Sequence, residues 1–255
     1  MEFKSFGFSD PGKFRAHNED SFLCNEEEGL FLVADGMGGH TSGETASKLA
    51  IDRIQEFVIR SRTEEVQWPI EYRKDLSHEQ NRLLAATFLV NRKIQEVGGR
   101  NPGMEGMGTT LVGVIIDGEE KLAVVNVGDS RLYRIRDEDL EQLTEDQTWV
   151  REQERNGMLT KEEAQNHPKK HILTRALGHL KHSGEIEIFA TGIMPKDLYL
   201  ICSDGLYDMI DDEKIFKIIK SIKDKSLYKI GLSLALQANL AGGRDNVTVV
   251  LLSFS

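Results

Sequence analysis

The sequence predicts an α+β fold in which antiparallel sheets form the core and pairs of helices cover them. Three observations carry this. Two long neighbouring segments, Ser42–Arg62 and Asp75–Val97, have helical apolar spacing. In the middle of the chain, short apolar runs are joined by links of only a few residues. A second helical pair, Asp211–Lys223 and Ser226–Leu240, precedes a closing apolar run, Asn246–Phe254.

In chain order, Glu2–Phe8 alternates with Phe3, Phe6 and Phe8 as its apolar positions, which predicts a strand. Ser21–Cys24 and Leu30–Ala34 flank the polar turn Asn25–Gly29 and read as a hairpin. The first helix carries Ala46, Leu49, Ala50, Ile54, Phe57 and Val58 on one face, and the second carries Leu76, Leu83, Leu84, Phe88 and Ile94. Thr63–Lys74, with Trp68-Pro69, is a connecting loop. Thr109–Ile116, Lys121–Val127, Arg131–Arg136 and Leu140–Leu143 follow as strands. Their links are Asp117-Gly118, Gly128-Asp129 and Asp137–Asp139. Such short links suit antiparallel neighbours and exclude parallel crossovers, so the centre is expected to be a meander. Thr144–His182 is polar and reads as an exposed excursion, while Glu185–Ala190 and Asp197–Cys202 are strands again.

The chain has 255 residues, 39% of them hydrophobic and 29% charged, which is a globular composition with enough length for a substantial core. Lysine and arginine number 32 against 42 acids, a formal net charge of −10. That balance argues against nucleic-acid or anionic-membrane partners. Cys24 and Cys202 form no CxxC motif and read as two buried thiols in a reducing compartment. There is no apolar targeting region at the N-terminus and no run long enough to span a membrane, so a cytoplasmic protein is expected.

The acids are informative by placement. Glu19-Asp20, Asp35-Gly36, Asp129, Asp204-Gly205 and Asp245 each stand at or between predicted strand ends. An apolar strand running into Asp-Gly sets a carboxylate at the end of a buried element, and the glycine lets the backbone turn and offer its carbonyl. Several such ends converging make an all-oxygen site, which suits Mg²⁺ or Mn²⁺ and not Zn²⁺. Singly, each Asp-Gly is a turn dipeptide, as Asp117-Gly118 is expected to be. The acid runs Glu26–Glu28 and Asp137–Asp139 read as solvated turns.

Joint context separates these acids from turns. Arg15-Ala16-His17-Asn18-Glu19-Asp20, Val33-Ala34-Asp35-Gly36-Met37-Gly38-Gly39-His40, Gly108-Thr109-Thr110, Gly128-Asp129-Ser130-Arg131, Cys202-Ser203-Asp204-Gly205 and Gly243-Arg244-Asp245-Asn246 occur in this order. The ordered set resembles the signature of the metal-dependent serine/threonine protein phosphatases of type 2C, in the spelling of their bacterial branch. It extends over nearly the whole chain. The resemblance implies a four-layer α-β-β-α sandwich, two antiparallel sheets flanked by helix pairs. It also implies one catalytic domain over residues 1–255, with a mobile flap at about 144–182.

The resemblance implies roles as well. Asp35 would bridge two metals, and the Gly36 carbonyl would bind one of them. Asp204 and Asp245 would hold the first metal. Glu19 would hold the second through water, with Asp20 as a supporting or water-mediated carboxylate. Asp129 would pair with Asp204 at a weaker third metal. Arg15 would grip the substrate phosphate, since a guanidinium can hold two of its oxygens. Without the motif, an ion pair from Arg15 to Glu19 or Asp20 would be the simpler reading. The leaving group needs a proton, and the donor stays open between His40, a water on the metal and another group. His40 has an equal structural reading in orienting the turn into the first helix. Met37, where eukaryotic members carry histidine, reads as packing.

Within the flap, Thr160 with Glu163 is a capping box. His167, Lys169, Lys170, His171, Lys181 and His182 could meet an acidic phosphopeptide, although a solvated loop explains most of them. The spacing of the histidines is poor for a metal site. The implied activity is Mn²⁺- or Mg²⁺-dependent hydrolysis of phosphoserine and phosphothreonine in proteins by a metal-activated water. It would oppose a cognate Ser/Thr kinase, and the protein is expected to be a monomer. A non-catalytic binding module and a hydrolase of small phosphoesters are the alternatives. Loss of ligand acids would mark the first, and all five key acids are present; comparing rates on a phosphothreonine peptide and a generic aryl phosphate separates the second.

Overall fold

Leu30, Phe31, Leu32 and Val33 are consecutive and fully buried, although neighbours in a strand point to opposite faces. Tyr199, Leu200, Ile201 and Cys202 repeat the pattern, as do Val249, Val250, Leu251 and Leu252. Strands buried on both sides belong to middle layers, with something covering each outer face.

The computed structural model describes residues 2–39, 41–64 and 66–255. In order they form β1 (Phe3–Asp10), β2 (Asp20–Asn25), β3 (Leu30–Met37), α1 (Thr41–Thr63), α2 (His78–Arg100), β4 (Gly108–Thr109), β5 (Leu111–Asp117), β6 (Lys121–Val127), β7 (Arg131–Arg136) and β8 (Asp139–Gln142). Then come α3 (Trp149–Arg155), α4 (Lys161–Asn166), a 3₁₀ turn (Ser183–Glu185), β9 (Glu187–Gly192), β10 (Leu198–Cys202), α5 (Asp204–Tyr207), α6 (Asp212–Ser221), α7 (Leu227–Ala241) and β11 (Val247–Phe254).

One sheet has the order β1-β11-β10-β7-β8 and the other β2-β3-β5-β6-β9, with β4 paired to β3. Every pairing is antiparallel. The apolar residues sort by strand parity into three layers. Phe31, Val33, Val112 and Val124 meet Leu132, Tyr199, Ile201 and Val250 between the sheets. Leu30, Leu32 and Ala34 face Ala50, Ile54, Leu83 and Ile94 of α1 and α2. Leu200, Cys202, Val249 and Leu251 face Ile215, Ile230 and Leu234 of α6 and α7. The layers are therefore helix pair, sheet, sheet, helix pair, and the α+β sandwich expectation holds. Full burial of each such Leu, Ile or Phe contributes about 2 kcal/mol.

Local signals account for many of the element ends. Ser77 with Gln80 closes a capping box on α2, and the expected Thr160–Glu163 box caps α4. Asp211 and Ser226 cap α6 and α7. Asp117-Gly118 turns the β5–β6 hairpin, as expected.

Two expectations need correction. The centre is not one meander: β6 pairs with β5 and β9, whereas β7 pairs with β8 and β10. The link Gly128–Ser130 thus crosses from one sheet to the other. A short link constrains the distance between strand ends, and sandwich layers about 10 Å apart also satisfy it. Thr144–His182 is also less exposed than its polarity suggests. Val150, Ala164, Ala176, Leu177 and Leu180 are buried, and Leu177 exchanges backbone hydrogen bonds with Thr109.

Gly36 lies in the extended β3 rather than at a turn. A Cβ there would stand 2.2 Å from the Gly43 carbonyl oxygen in α1 and 2.6 Å from that of Glu19. Both are backbone atoms and cannot rotate away. Gly36→Ala is therefore expected to lower stability by about 2 kcal/mol or more. Gly99→Ala, in α2 with open space around it, should raise stability by up to about 1 kcal/mol. Denaturant melts of the two variants check the pair.

Candidate metal centre

The β2–β3 hairpin sets Asp20 directly opposite Asp35, so the two carboxylates share a face. By parity that face is the one Phe31 and Val33 turn toward the other sheet. The break between β4 and β5 at Thr110 clamps Asp35. The Thr110 backbone N–H donates to the Asp35 carbonyl at 2.8 Å, and its Oγ1 accepts from the Asp35 N–H at 3.0 Å. Glu19 is held from both sheets. Its N–H donates to Asn246 Oδ1 at 2.8 Å, and its carbonyl accepts from the Gly36 N–H at 3.1 Å. Its carboxylate lies so close over Gly43 that a Cβ there would fall 1.9 Å from Oε2.

The other sheet supplies the facing acids. Asp204 opens α5 immediately after β10, and Gly205 lets that turn approach the next segment: a Cβ would be 1.9 Å from the Asn246 carbonyl oxygen. Asp245 precedes β11; its Oδ1 accepts from the Asn246 N–H at 2.8 Å. Asp129, 6% exposed, sits on the link between the sheets. Tyr207 donates its hydroxyl to the Asp129 carbonyl at 2.9 Å. Glycine thus serves close backbone approach at positions 36 and 205, inside a strand and a helix, where turns were expected.

A cavity of about 920 Å³ brings together Glu19, Asp35, Gly36, Asp129, Asp204 and Asp245, with Arg15 on its wall. Asp20 stands behind it, 8% exposed, and its Oδ2 accepts from Ser203 Oγ at 2.8 Å and Thr248 Oγ1 at 2.6 Å. Arg15 donates to Asp245 Oδ2 at 2.6 Å, so its ion pair is with Asp245 and not with Glu19 or Asp20. Cross-sheet proximity, which the sequence does not show, decides that partner. His40 lies outside the described residues. Met37 packs on Gly108, where a Cβ would meet its Cε.

The electrostatics are those of anions short of counter-charge. Burial pushes the Asp20 carboxyl up to about 6 against its hydrogen bonds from Thr248 and Ser203. Burial, then Asp146, pushes Asp129 up to about 7. Asp35 is raised well above the usual range by burial and then by Asp20, and Asp204 by burial and then by Asp129. Asp20 Oδ1 and Asp204 Oδ1 are buried with no hydrogen-bond partner. Converging carboxylates, unpartnered oxygens and an all-oxygen donor set fit hard divalent cations such as Mg²⁺ and Mn²⁺.

Sequence reading missed the supports. Asn246, Ser203 and Thr248 orient the acids from across the sandwich. It placed Lys170 and His171 in the flap but missed the aspartates that they meet at the cavity. Lys170 Nζ lies 3.1 Å from Asp208 Oδ1, and His171 Nδ1 lies 3.3 Å from Asp208 Oδ2 and 3.9 Å from Asp204 Oδ2. His171, Asp204 and Asp208 can bring ligand atoms within 4.8 Å of one another. Histidine spacing alone could not find this cluster, because its partners are aspartates on α5 and at its end. Asp208 lies one helical turn after Asp204, which was the available signal.

Comparison with known proteins agrees with the geometry. A family model described as protein phosphatase 2C matches residues 14–236. The chain is 37% identical over 251 residues to the serine/threonine phosphatase stp of Listeria welshimeri, covering 95% of this chain and 92% of that protein. The crystal structure of the Mycobacterium tuberculosis serine/threonine phosphatase PstP/Ppp superposes with a TM-score of 0.84 at 35% identity, covering 99% of both chains. The catalytic domain of PstP in complex with 2 manganese ions superposes with a TM-score of 0.77 at 33% identity, over 98% of this chain and 97% of that one. With a matching family model over most of its length and relatives this similar, the chain belongs to the metal-dependent protein phosphatase 2C family.

Proposed function

We propose that the chain hydrolyses phosphoserine and phosphothreonine in proteins, with Mn²⁺ or Mg²⁺ as cofactor. The observation that carries this is the convergence of Glu19, Asp35, Asp204 and Asp245 from two sheets on one cavity beside the Arg15 guanidinium. Asp35, the Gly36 carbonyl, Asp204 and Asp245 would hold the tighter cations, with Glu19 and Asp20 in support, and Asp129 with Asp204 would hold a weaker one. Bound divalent cations supply Lewis acidity, making water a nucleophile near neutral pH and offsetting the charge of the phosphoryl oxygens.

The chain's own groups do the rest. Thr110 fixes the Asp35 backbone, so that carboxylate is aimed before any ligand arrives. Ser203 and Thr248 fix one oxygen of Asp20 and leave the other free. Arg15 reaches into the cleft from Asp245, and the planar fork of its guanidinium is suited to two phosphate oxygens at once. Lys170 and His171 set the flap on Asp208 and give the cleft a basic wall toward the peptide. We read residues 1–255 as one catalytic domain with its flap at about 144–182, a monomer of the bacterial cytoplasm that reverses a cognate Ser/Thr kinase. No helix among the described residues is long and apolar enough to cross a membrane.

Turnover of a phosphothreonine peptide tests the assignment. Activity should require added Mn²⁺ or Mg²⁺, vanish with chelator and fall ~10³-fold or more in Asp35→Asn. Wild-type turnover by the chelated protein or by that variant would refute it.

Stability of the metal-free chain follows from the same charges. The Asp20 and Asp129 carboxyls titrate near 6 and 7 in the fold, against 3.8 ordinarily. Over that interval the folded chain keeps protons that the unfolded chain has lost, so stability falls as pH rises from about 4 to 7. Melts in chelator should show a lower Tm at about pH 8 than at about pH 5, and Mn²⁺ should raise Tm more at the higher pH.

A further inference from the structure

Away from the catalytic cavity, α1 and α2 leave a second groove of about 830 Å³ on the outer face of their pair. It shares no lining residue with the catalytic cavity. Phe57 of α1, Leu89 of α2 and Val66 of the connecting loop contribute apolar surface, and Leu89 is 37% exposed.

The charges around that surface oppose the character of the chain. The groove is lined by Arg53, Arg60, Arg92, Lys93 and Arg100, with Glu56 and Glu96 as its only acids among the described residues. Arg53 and Arg60 share Glu56, and Lys93 and Arg100 share Glu96. Arg60 reaches Glu64 as well. Arg92 has no ion-pair partner among the described residues. Each groove glutamate is therefore claimed by two cations, and among the described lining residues net positive charge remains, in a chain whose formal charge is −10.

We propose that this groove docks an acidic segment of a partner protein, one that carries an apolar side chain among its carboxylates. Charge complementarity selects the occupant: an acidic partner is repelled by the overall charge of the chain and steered to the cationic groove. The apolar surface gives such a segment an anchor to bury, and the volume is in the range of sites that enclose a few side chains. Polyanions fit less well. Phosphate backbones and anionic lipid surfaces gain nothing from Phe57, Val66 and Leu89, and meet the two glutamates.

A fluorescein-labelled peptide, Glu-Asp-Leu-Glu-Glu-Phe-Glu-Asp, is the probe, read by fluorescence anisotropy on the full chain at low salt. It should bind saturably, and its counterpart with lysine at every acidic position should not. Arg92→Glu and Leu89→Asp should each weaken binding by ~10-fold or more while the melting temperature stays near that of the wild type, because both positions are exposed. Arg92→Gln should give a smaller loss of the same sign. Failure of the acidic peptide to bind, or equal binding by the Arg92→Glu and Leu89→Asp variants, overturns the proposal. Binding of heparin or phosphatidylserine vesicles in place of the peptide also overturns it, and marks the groove as a polyanion surface.

Discussion

Carboxylates facing one another across a sandwich, with too little positive charge among them, are the constraint on which this structure turns. Asp20 and Asp35 are cross-strand neighbours, and Asp204, Asp129 and Asp245 approach from the opposite side. Like charges so placed are unfavourable in a strand pair and costlier when buried. Arg15 is the only cation with an ion pair to a proposed ligand acid among the described residues, apart from the longer His171–Asp204 contact. Divalent cations resolve the conflict that the fold creates, which is why the metal requirement is a property of the architecture and not an addition to it.

The scaffold holds that conflict in place by rigidity. The fully buried runs of β3, β10 and β11 pin both sheets between helix pairs, so strand ends cannot drift apart to relieve repulsion. Close backbone approaches finish the task. Gly36 against Gly43, and Gly205 against the Asn246 carbonyl, join a strand to a helix on one side and a helix to the link before β11 on the other. Asn246 serves both sheets at once, donating to the carbonyls of Pro11 and His17 while accepting from Glu19. An ordinary packing mutation at these contacts would therefore reach the site through geometry.

Most of the architecture was legible because helical and strand periodicities are local, and most strands here are short apolar runs with clear turns between them. What the sequence could not show was which face or sheet a strand joins. Gly128–Ser130 looked like a hairpin turn, since a short link is compatible with pairing and with crossing alike. That one ambiguity hid the reason Asp129 is buried. The acids themselves were legible as an ordered set, whereas their supports were not. Ser203 and Asn246 stand inside the ordered motifs with no role of their own there, Thr248 stands outside them, and all three acquire meaning only when the opposite sheet is brought within hydrogen-bonding distance. Asp245 as the partner of Arg15, and Asp208 as the partner of Lys170 and His171, were hidden for the same reason. These contacts link residues far apart in the chain.

Manganese binding to the chelated protein, followed by titration calorimetry near pH 7 in two buffers of different ionisation enthalpy, tests the central claim most directly. Buried carboxyls raised by burial and by one another hold protons that an arriving cation must displace. The account predicts tight binding whose apparent enthalpy shifts between the buffers in the sense of proton release, and loss of that binding in Asp35→Asn. Absence of binding, binding without proton release, or binding unchanged in the variant would contradict it.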